Sequence, residues 1–297
     1  LAVKKSTHNS IFTSNYGLIT SIILILLGMI LFNFFNSSQK YEFNSNNSNN
    51  NQIHDYMQTQ QQIISPETLA MQRELQKAQL KSFDLLLKEL KLKYPNQTNW
   101  FWANIESSFK HSVIKQKDPS IVLLVNDKSN EKLAQDLQND LMSNLLKSLN
   151  SQSVQNTELT IDPKNDADLF DMIRENNYQR AKLYIDEKLT SLFSNNNNKL
   201  ALVKNIEQIP AETMLLFYTY GDDLQNAKFP GILILMSLNL DTDLSGLQRT
   251  RFLKSSSSFT KFVEDYLFNM WSKKVHEDKL KPLFTRIANN VIFVNTE

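Results

Sequence analysis

Two kinds of apolar run alternate along most of the chain, and their alternation predicts the architecture. Ser65-Pro66-Glu67 reads as a helix start, with a capping hydroxyl and proline in the first turn. The helix runs to about Tyr94, with Leu80, Phe83, Leu87 and Leu90 on one stripe, and Pro95 stops it. Ser120–Asn126 (SIVLLVN) is a continuous apolar run, as expected of a strand covered on both faces. A helix follows with Leu133, Leu137, Leu141 and Leu145 at helical spacing. Leu159–Ile161 reads as a short strand, and residues 167–193 as one or two helices carrying Leu183, Ile185, Leu189 and Phe193. Leu200–Ile206, Met214–Tyr220 and Ile232–Leu238 are three more runs of buried-strand type. Phe259, Phe262, Val263, Tyr266, Leu267 and Met270 form another helical stripe. A last helix around Lys279–Ala288 then leads into a strand at Val291–Val294. Alternation of this kind predicts an α/β domain, a mostly parallel central sheet flanked by helices. The chain shows no internal repeat.

The N-terminal quarter reads differently. Gly17 to Phe35 (GLITSIILILLGMILFNFF) carries no charge, and at about 1.5 Å per residue it spans roughly 28 Å, the thickness of a bilayer core. No small-x-small cleavage site follows Phe35, so the run reads as a membrane anchor rather than a signal peptide. Lys4 and Lys5 precede it without acidic neighbours, whereas Lys40 beyond it lies beside Glu42. The positive-inside rule therefore places the N-terminus in the cytosol or nucleoplasm and the rest in a lumen. Residues 36–63 are polar, Asn/Gln-rich and aperiodic, as in a flexible stem. The expected organisation is a stub (1–16), a transmembrane helix (17–35), the stem (36–63) and one lumenal domain (64–297). Asn46-Asn-Ser and Asn96-Gln-Thr are glycosylation sequons on the lumenal side; Asn36-Ser-Ser lies close to the membrane.

Composition narrows the chemistry. Lys and Arg total 32 against 31 Asp and Glu, a balance that argues against a nucleic-acid partner. With no cysteine, disulfides, thiolate nucleophiles and Cys-ligated metals are excluded. The four histidines are far apart and form no metal-binding spacing; five glycines leave little material for phosphate-cradling loops. A parallel α/β domain invites a phosphate loop after its first strand, but Asn126-Asp-Lys-Ser-Asn-Glu-Lys holds no glycine. At the end of the third expected strand, where a Walker-type ATPase carries its acidic pair, stand Lys204 and Asn205, with Glu207 the only acid. An ATPase-like domain of this sequence is expected neither to bind nor to hydrolyse ATP, and no cofactor or metal is expected.

Two further features invite a role. Asp241-Thr-Asp243 follows a strand, the setting of the DxD metal site of glycosyltransferases, whose anchor, stem and lumenal domain this layout also matches; a solvated turn before Ser245-Gly246 is the plainer reading. In the last helix, Leu280, Leu283, Phe284 and Ile287 make one apolar face. Arg286 falls about 100° from its centre, so it is expected to project outward, beside Lys279 and Pro282, from a well-anchored helix.

These segments resemble the torsin-interacting proteins, the family of lamina-associated polypeptide one and its lumenal-domain-like relative. The resemblance covers nearly all of residues 100–297. It runs from Asp118-Pro-Ser-Ile-Val-Leu-Leu through Ala181-Lys-Leu-Tyr-Ile-Asp-Glu-Lys-Leu and Ile206-Glu207-Gln-Ile-Pro210. It continues with Leu216-Phe-Tyr-Thr-Tyr-Gly-Asp222, Ala227-Lys-Phe and Ile232-Leu-Ile-Leu, and closes with Asp278-Lys-Leu-Lys-Pro-Leu-Phe-Thr-Arg-Ile-Ala288 and Val-Ile-Phe-Val. It implies a degenerate, AAA+-like lumenal domain that does not bind nucleotide. Such a domain associates with ATP-loaded torsin, a lumenal AAA+ ATPase, and supplies an arginine finger to torsin's ATP. Arg286 matches the finger position; Lys279, Phe284 and Glu207 are expected at the partner interface, Glu207 there or in a structural role. The resemblance further implies the inner nuclear membrane or endoplasmic reticulum as location, and lamins as partners through a region preceding Leu1. The chain departs from the family twice. Gly221 stands where the family carries a cysteine, and the sequence ends at Glu297, short of the tail bearing that cysteine's disulfide partner. The expectation is a domain held by packing alone.

Overall fold

A computed structural model describes residues 65–149, 160–194, 198–223 and 225–295. The stub, the apolar run 17–35, the stem and Asn46 lie outside the described residues. Among the described residues no helix is long and apolar enough to cross a membrane.

The first helix, α1 (Pro66–Lys93), begins as expected: Ser65 Oγ accepts from the Thr68 amide, and Pro66 fills the first turn. Its buried apolar residues all lie in its second half. Phe83, Leu87 and Leu90 are buried, whereas Leu69, Met71 and Leu75 are exposed. The next element, α2 (Asn99–Ser108), starts at the Thr98 cap and ends in one π-helical turn, Phe109–Ile114. Strand β1 (Ser120–Asn126) leads to α3 (Glu131–Ser148), which packs on α1. Then come β2 (Thr160–Ile161), α4 (Ala167–Arg174), α5 (Tyr178–Ser194) and β3 (Leu200–Val203). A short helix α6 (Ala211–Met214) continues as a 3₁₀ turn, Leu215–Tyr218, before β4 (Leu233–Asn239). The chain closes with α7 (Gly246–Lys254), α8 (Ser256–Trp271), α9 (Glu277–Ile287) and β5 (Val291–Phe293).

Among the described residues five strands form one parallel sheet, in the order β2-β3-β4-β1-β5. This is the flanked parallel sheet that the alternating pattern predicts. The strands are buried along almost their whole length because helices cover both faces. Ser120–Asn126 pairs residue for residue with Leu233–Asn239, so β1 and β4 end level, at Asn126 and Asn239.

Three expectations need correction. Met214–Tyr220 is helical, not a strand. Pro210 is extended and its carbonyl accepts from both the Thr213 and Met214 amides, which starts a helical turn. Met214, Phe217 and Tyr220 are then fully buried at a spacing of three, the 3₁₀ period rather than the strand period of two. Strand β3 stops at Val203, short of the expected Ile206, because Asn205 adopts a left-handed conformation (φ 53°) that leaves the sheet. Leu183, expected on the buried stripe of α5, is 60% exposed, and Ala181 takes its place in the core.

Candidate functional site

In open parallel sheets ligands bind outside the carboxyl ends of the strands, so the loops leaving β1, β3 and β4 come first. The loop after β1 is closed by internal carboxylates. Asp127 is fully buried, and its Oδ2 accepts from Arg249 Nη2 at 2.7 Å and from the Leu244 amide at 3.4 Å. Its Oδ1 accepts from Ser129 Oγ at 3.0 Å, a hydroxyl that also receives Arg249 Nη2 at 2.9 Å. The Ser129 amide donates to Asp243 Oδ1 at 2.8 Å. Arg249 is delivered by α7, whose start is fixed by a reciprocal pair: Ser245 Oγ accepts from the Gln248 amide while Gln248 Oε1 accepts from the Ser245 amide. An arginine and backbone amides are what such a loop offers a phosphate. Here they are committed to Asp127 and Asp243.

The expected DxD pair is resolved by the same geometry. Asp243 fastens the β1 loop, and the Asp241 amide faces the Tyr266 hydroxyl at 3.4 Å. Among the described residues no group of three or more His, Asp or Glu side chains could hold a metal ion. Asp241 and Asp243 form the turn before α7, tied to the fold rather than gathered around a metal.

The ends of β2, β3 and β4 are stitched by side chains. Asn205 Nδ2 donates to Asp162 Oδ1 at 2.7 Å, and the Asn205 amide to Ser237 Oγ at 3.1 Å. Asn239 Nδ2 donates to Asn205 Oδ1 at 2.6 Å and to Glu207 Oε1 at 3.1 Å, while its amide donates to Glu207 Oε2 at 3.1 Å. Burial pushes the Glu207 carboxyl above its ordinary value, against the pull of Asn239's hydrogen bonds. Glu207 thus tethers the last residue of β4. Lys204 donates to Asn139 Oδ1 at 3.0 Å, and burial lowers its pKa.

Helix α9 is the third place. His276 caps it, through Nδ1 accepting from the Asp278 amide at 3.4 Å. Leu280, Leu283 and Ile287 are fully buried. Phe284, at 6% exposure, stacks on Trp271 with ring centres 6.1 Å apart, so its surface is spent on seating the helix. Lys279 is exposed, and its backbone carbonyl accepts from the Tyr218 hydroxyl. Arg286 leaves the apolar face as the helical spacing predicts, but it does not extend freely. Its side chain is 26% exposed and folds back: Nη1 donates to the Pro282 carbonyl at 3.0 Å and to Thr285 Oγ1 at 3.2 Å, and Nη2 pairs with Asp222 Oδ1 at 3.1 Å. Spacing within α9 could not show this, because Asp222 lies 64 positions away.

Of the other expected positions, Asn96 is exposed, in the turn between α1 and α2. Its carbonyl accepts from Asn295 Nδ2 at 3.0 Å, and the neighbouring Gln97 side chain is buried against the Asn295 backbone. The sequence reading missed Asp127, Arg249 and Asp222. Only Arg249 had a local signal, the Ser245/Gln248 capping pattern that starts its helix.

A five-stranded parallel sheet flanked by helices makes this an α/β domain, consistent with an AAA+-like plan. Residues 66–297 match the family described as lamina-associated polypeptide 1, AAA+ activator domain, and the chain belongs to that family. Among curated proteins it is similar to torsin-1A-interacting protein 1 of Homo sapiens, 25% identical over 236 residues. That match covers 75% of this chain and 37% of the human protein, so the chain corresponds to well under half the length of that relative.

Proposed function

We propose that this chain activates a partner AAA+ ATPase of the torsin type, binding it in the ATP-loaded state within a hetero-oligomer and presenting Arg286 to the partner's phosphates. Membership of an AAA+ activator family and the torsin interaction in the human relative's name support the partner class. The observation that carries the reading is the mounting of Arg286. A partly exposed guanidinium stands on a helix whose apolar face is buried at four positions, so it can be presented from a rigid support. In phosphoryl transfer, charge spreads over the transferring oxygens, and a guanidinium from a neighbouring chain stabilises it.

The β1 loop supports a non-enzymatic role for the chain itself, because Arg249 and the Ser129 amide already serve internal carboxylates. Lys279, exposed about two turns before Arg286, is the interface residue of choice. Residues 17–35 would anchor the protein in the inner nuclear or reticulum membrane, with the 64–297 domain in the lumen and glycans at Asn46 and Asn96. A region preceding Leu1 would be the route to lamins.

The test is torsin's ATPase rate with and without this protein, alongside capture of ATP-trapped torsin. Arg286→Ala should remove the stimulation, a loss of roughly 10³–10⁵ if the finger acts as in GTPase systems, while leaving capture largely intact. Arg286→Lys should fail too, since an ammonium cannot reproduce the planar fork. If Arg286→Ala stimulates as well as the parent, the finger assignment is wrong.

A further inference from the structure

Arg286 is steered from outside its own helix. Three residues of the segment after α6 meet it. The ring centre of Tyr218 lies 5.7 Å from the guanidinium carbon, and the Tyr218 hydroxyl, bonded to the Lys279 carbonyl, ties that ring to α9. At Gly221 a Cβ would lie 3.0 Å from Arg286 Cβ and 3.0 Å from Ile121 Cδ1, tighter than most Cβ contacts. The stem of Arg286 therefore passes close over bare backbone, and a Cβ here requires Arg286 or Ile121 to give by a few tenths of an ångström. Asp222 follows directly and takes Nη2. Pro282 and Thr285 hold Nη1 from the other side.

A guanidinium carries five N–H donors, two of them on Nη2. Asp222 makes a single contact, to Nη2, rather than the fork-to-fork pairing that would cap the group, so it fixes the plane while leaving a donor over. We infer that Asp222, seated by the glycine at 221, is the positioning residue of Arg286, fixing the guanidinium in the free protein in the orientation in which it meets the partner's phosphates. A long arginine otherwise loses its rotamer freedom on docking, and a seat built beforehand removes that loss from the reaction. The inference rests on the finger reading above.

The experiment is torsin ATPase titrated with the intact protein carrying Asp222→Ala, Asp222→Asn or Gly221→Ala, beside the parent and Arg286→Ala. Asp222→Ala should lower the maximal stimulated rate by roughly 10- to 100-fold, the effect of about an ångström of misplacement. The half-maximal concentration should change by less than about threefold, because the contact is internal. Asp222→Asn retains an oxygen acceptor for Nη2 and should recover most of the rate. Gly221→Ala should lower it in the same sense as Asp222→Ala. Melting midpoints should move by no more than about 4 °C for Asp222→Ala, since a partly exposed pair contributes little to folding. A merely structural Asp222 would instead show its effect in that midpoint. Full stimulation by Asp222→Ala with Arg286→Ala inactive would overturn the positioning role and leave the finger standing. Stimulation above the parent would also overturn it, by showing that the carboxylate restrains Arg286. Were Arg286→Ala itself fully active, both readings would fall together.

Discussion

Replacing Asp127 with alanine should be among the most damaging single changes available in this domain. Its carboxylate side chain has no exposure, and its partner Arg249 is 12% exposed, so water cannot take over for either. The substitution removes the carboxylate that faces a nearly buried guanidinium, and with it the acceptor of the Leu244 amide and the Ser129 hydroxyl. Breaking a buried pair by deleting one partner costs about 3–5 kcal/mol. In a domain of this size each kcal/mol moves the melting midpoint by roughly 2–4 °C, so the drop should be on the order of 6–20 °C. Because much of the penalty comes from a desolvated guanidinium that has lost this carboxylate, Arg249→Met added to Asp127→Ala should restore part of it. The cycle should show a coupling of about 2 kcal/mol or more. Urea unfolding of the four proteins measures this. A loss under about 1 kcal/mol for Asp127→Ala, with an unchanged slope, would show that the pair is solvated and that the β1 loop is open rather than filled.

Two further outcomes follow from the geometry. Asp166 caps α4 and accepts from Tyr184 and Lys188; burial alone would raise its carboxyl, but those partners overcome it and hold it below the ordinary 3.8. With the folded value depressed, its stabilisation is present above pH 3.8 and is lost as pH falls through the folded value. Asp166→Asn should therefore be less stable than the parent at neutral pH yet decline less below about pH 4, as read from urea midpoints at pH 7 and pH 3. Asn96 sits exposed on a turn whose backbone is held by Asn295. If this domain faces a lumen as proposed, the protein made in eukaryotic cells should lose mass on endoglycosidase treatment, and Asn96→Gln should remove part of that shift; an unchanged mass would overturn the proposed glycan.

What could be read from sequence follows the range of the interactions concerned. The strands of the centre, such as SIVLLVN, announce themselves because a parallel strand covered on both faces is uniformly apolar. The same uniformity misleads at Met214–Tyr220, where the run is apolar but packs every third residue; a short apolar segment carries no period that separates the two. Helix α7 escaped for the opposite reason. Its capping box is plain, but only Phe252 is buried, so no stripe marks it. The position of Arg286 on its helix was legible from spacing, since one apolar face fixes the angles of all other positions. Its confinement was not, because Asp222 is 64 residues away, and Arg249 and Asp127 are separated by 122. No local pattern encodes such pairs. They exist only once the sheet has brought β1, β4 and the α6–β4 segment together.

The stitched edge formed by Asp162, Asn205, Asn239 and Glu207 bears on how an assembly containing this domain could work. In a ring whose members each change shape as they bind and release a ligand, timing passes from one member to the next. Here the strand ends that would register such a ligand are clamped to one another by side-chain hydrogen bonds of 2.6–3.1 Å. The ends of β2, β3 and β4 are thus coupled, so a displacement of one loads the others. If such a domain sat in an assembly as proposed, a shift at the end of β4 would first have to break its contacts to Asn205 and Glu207.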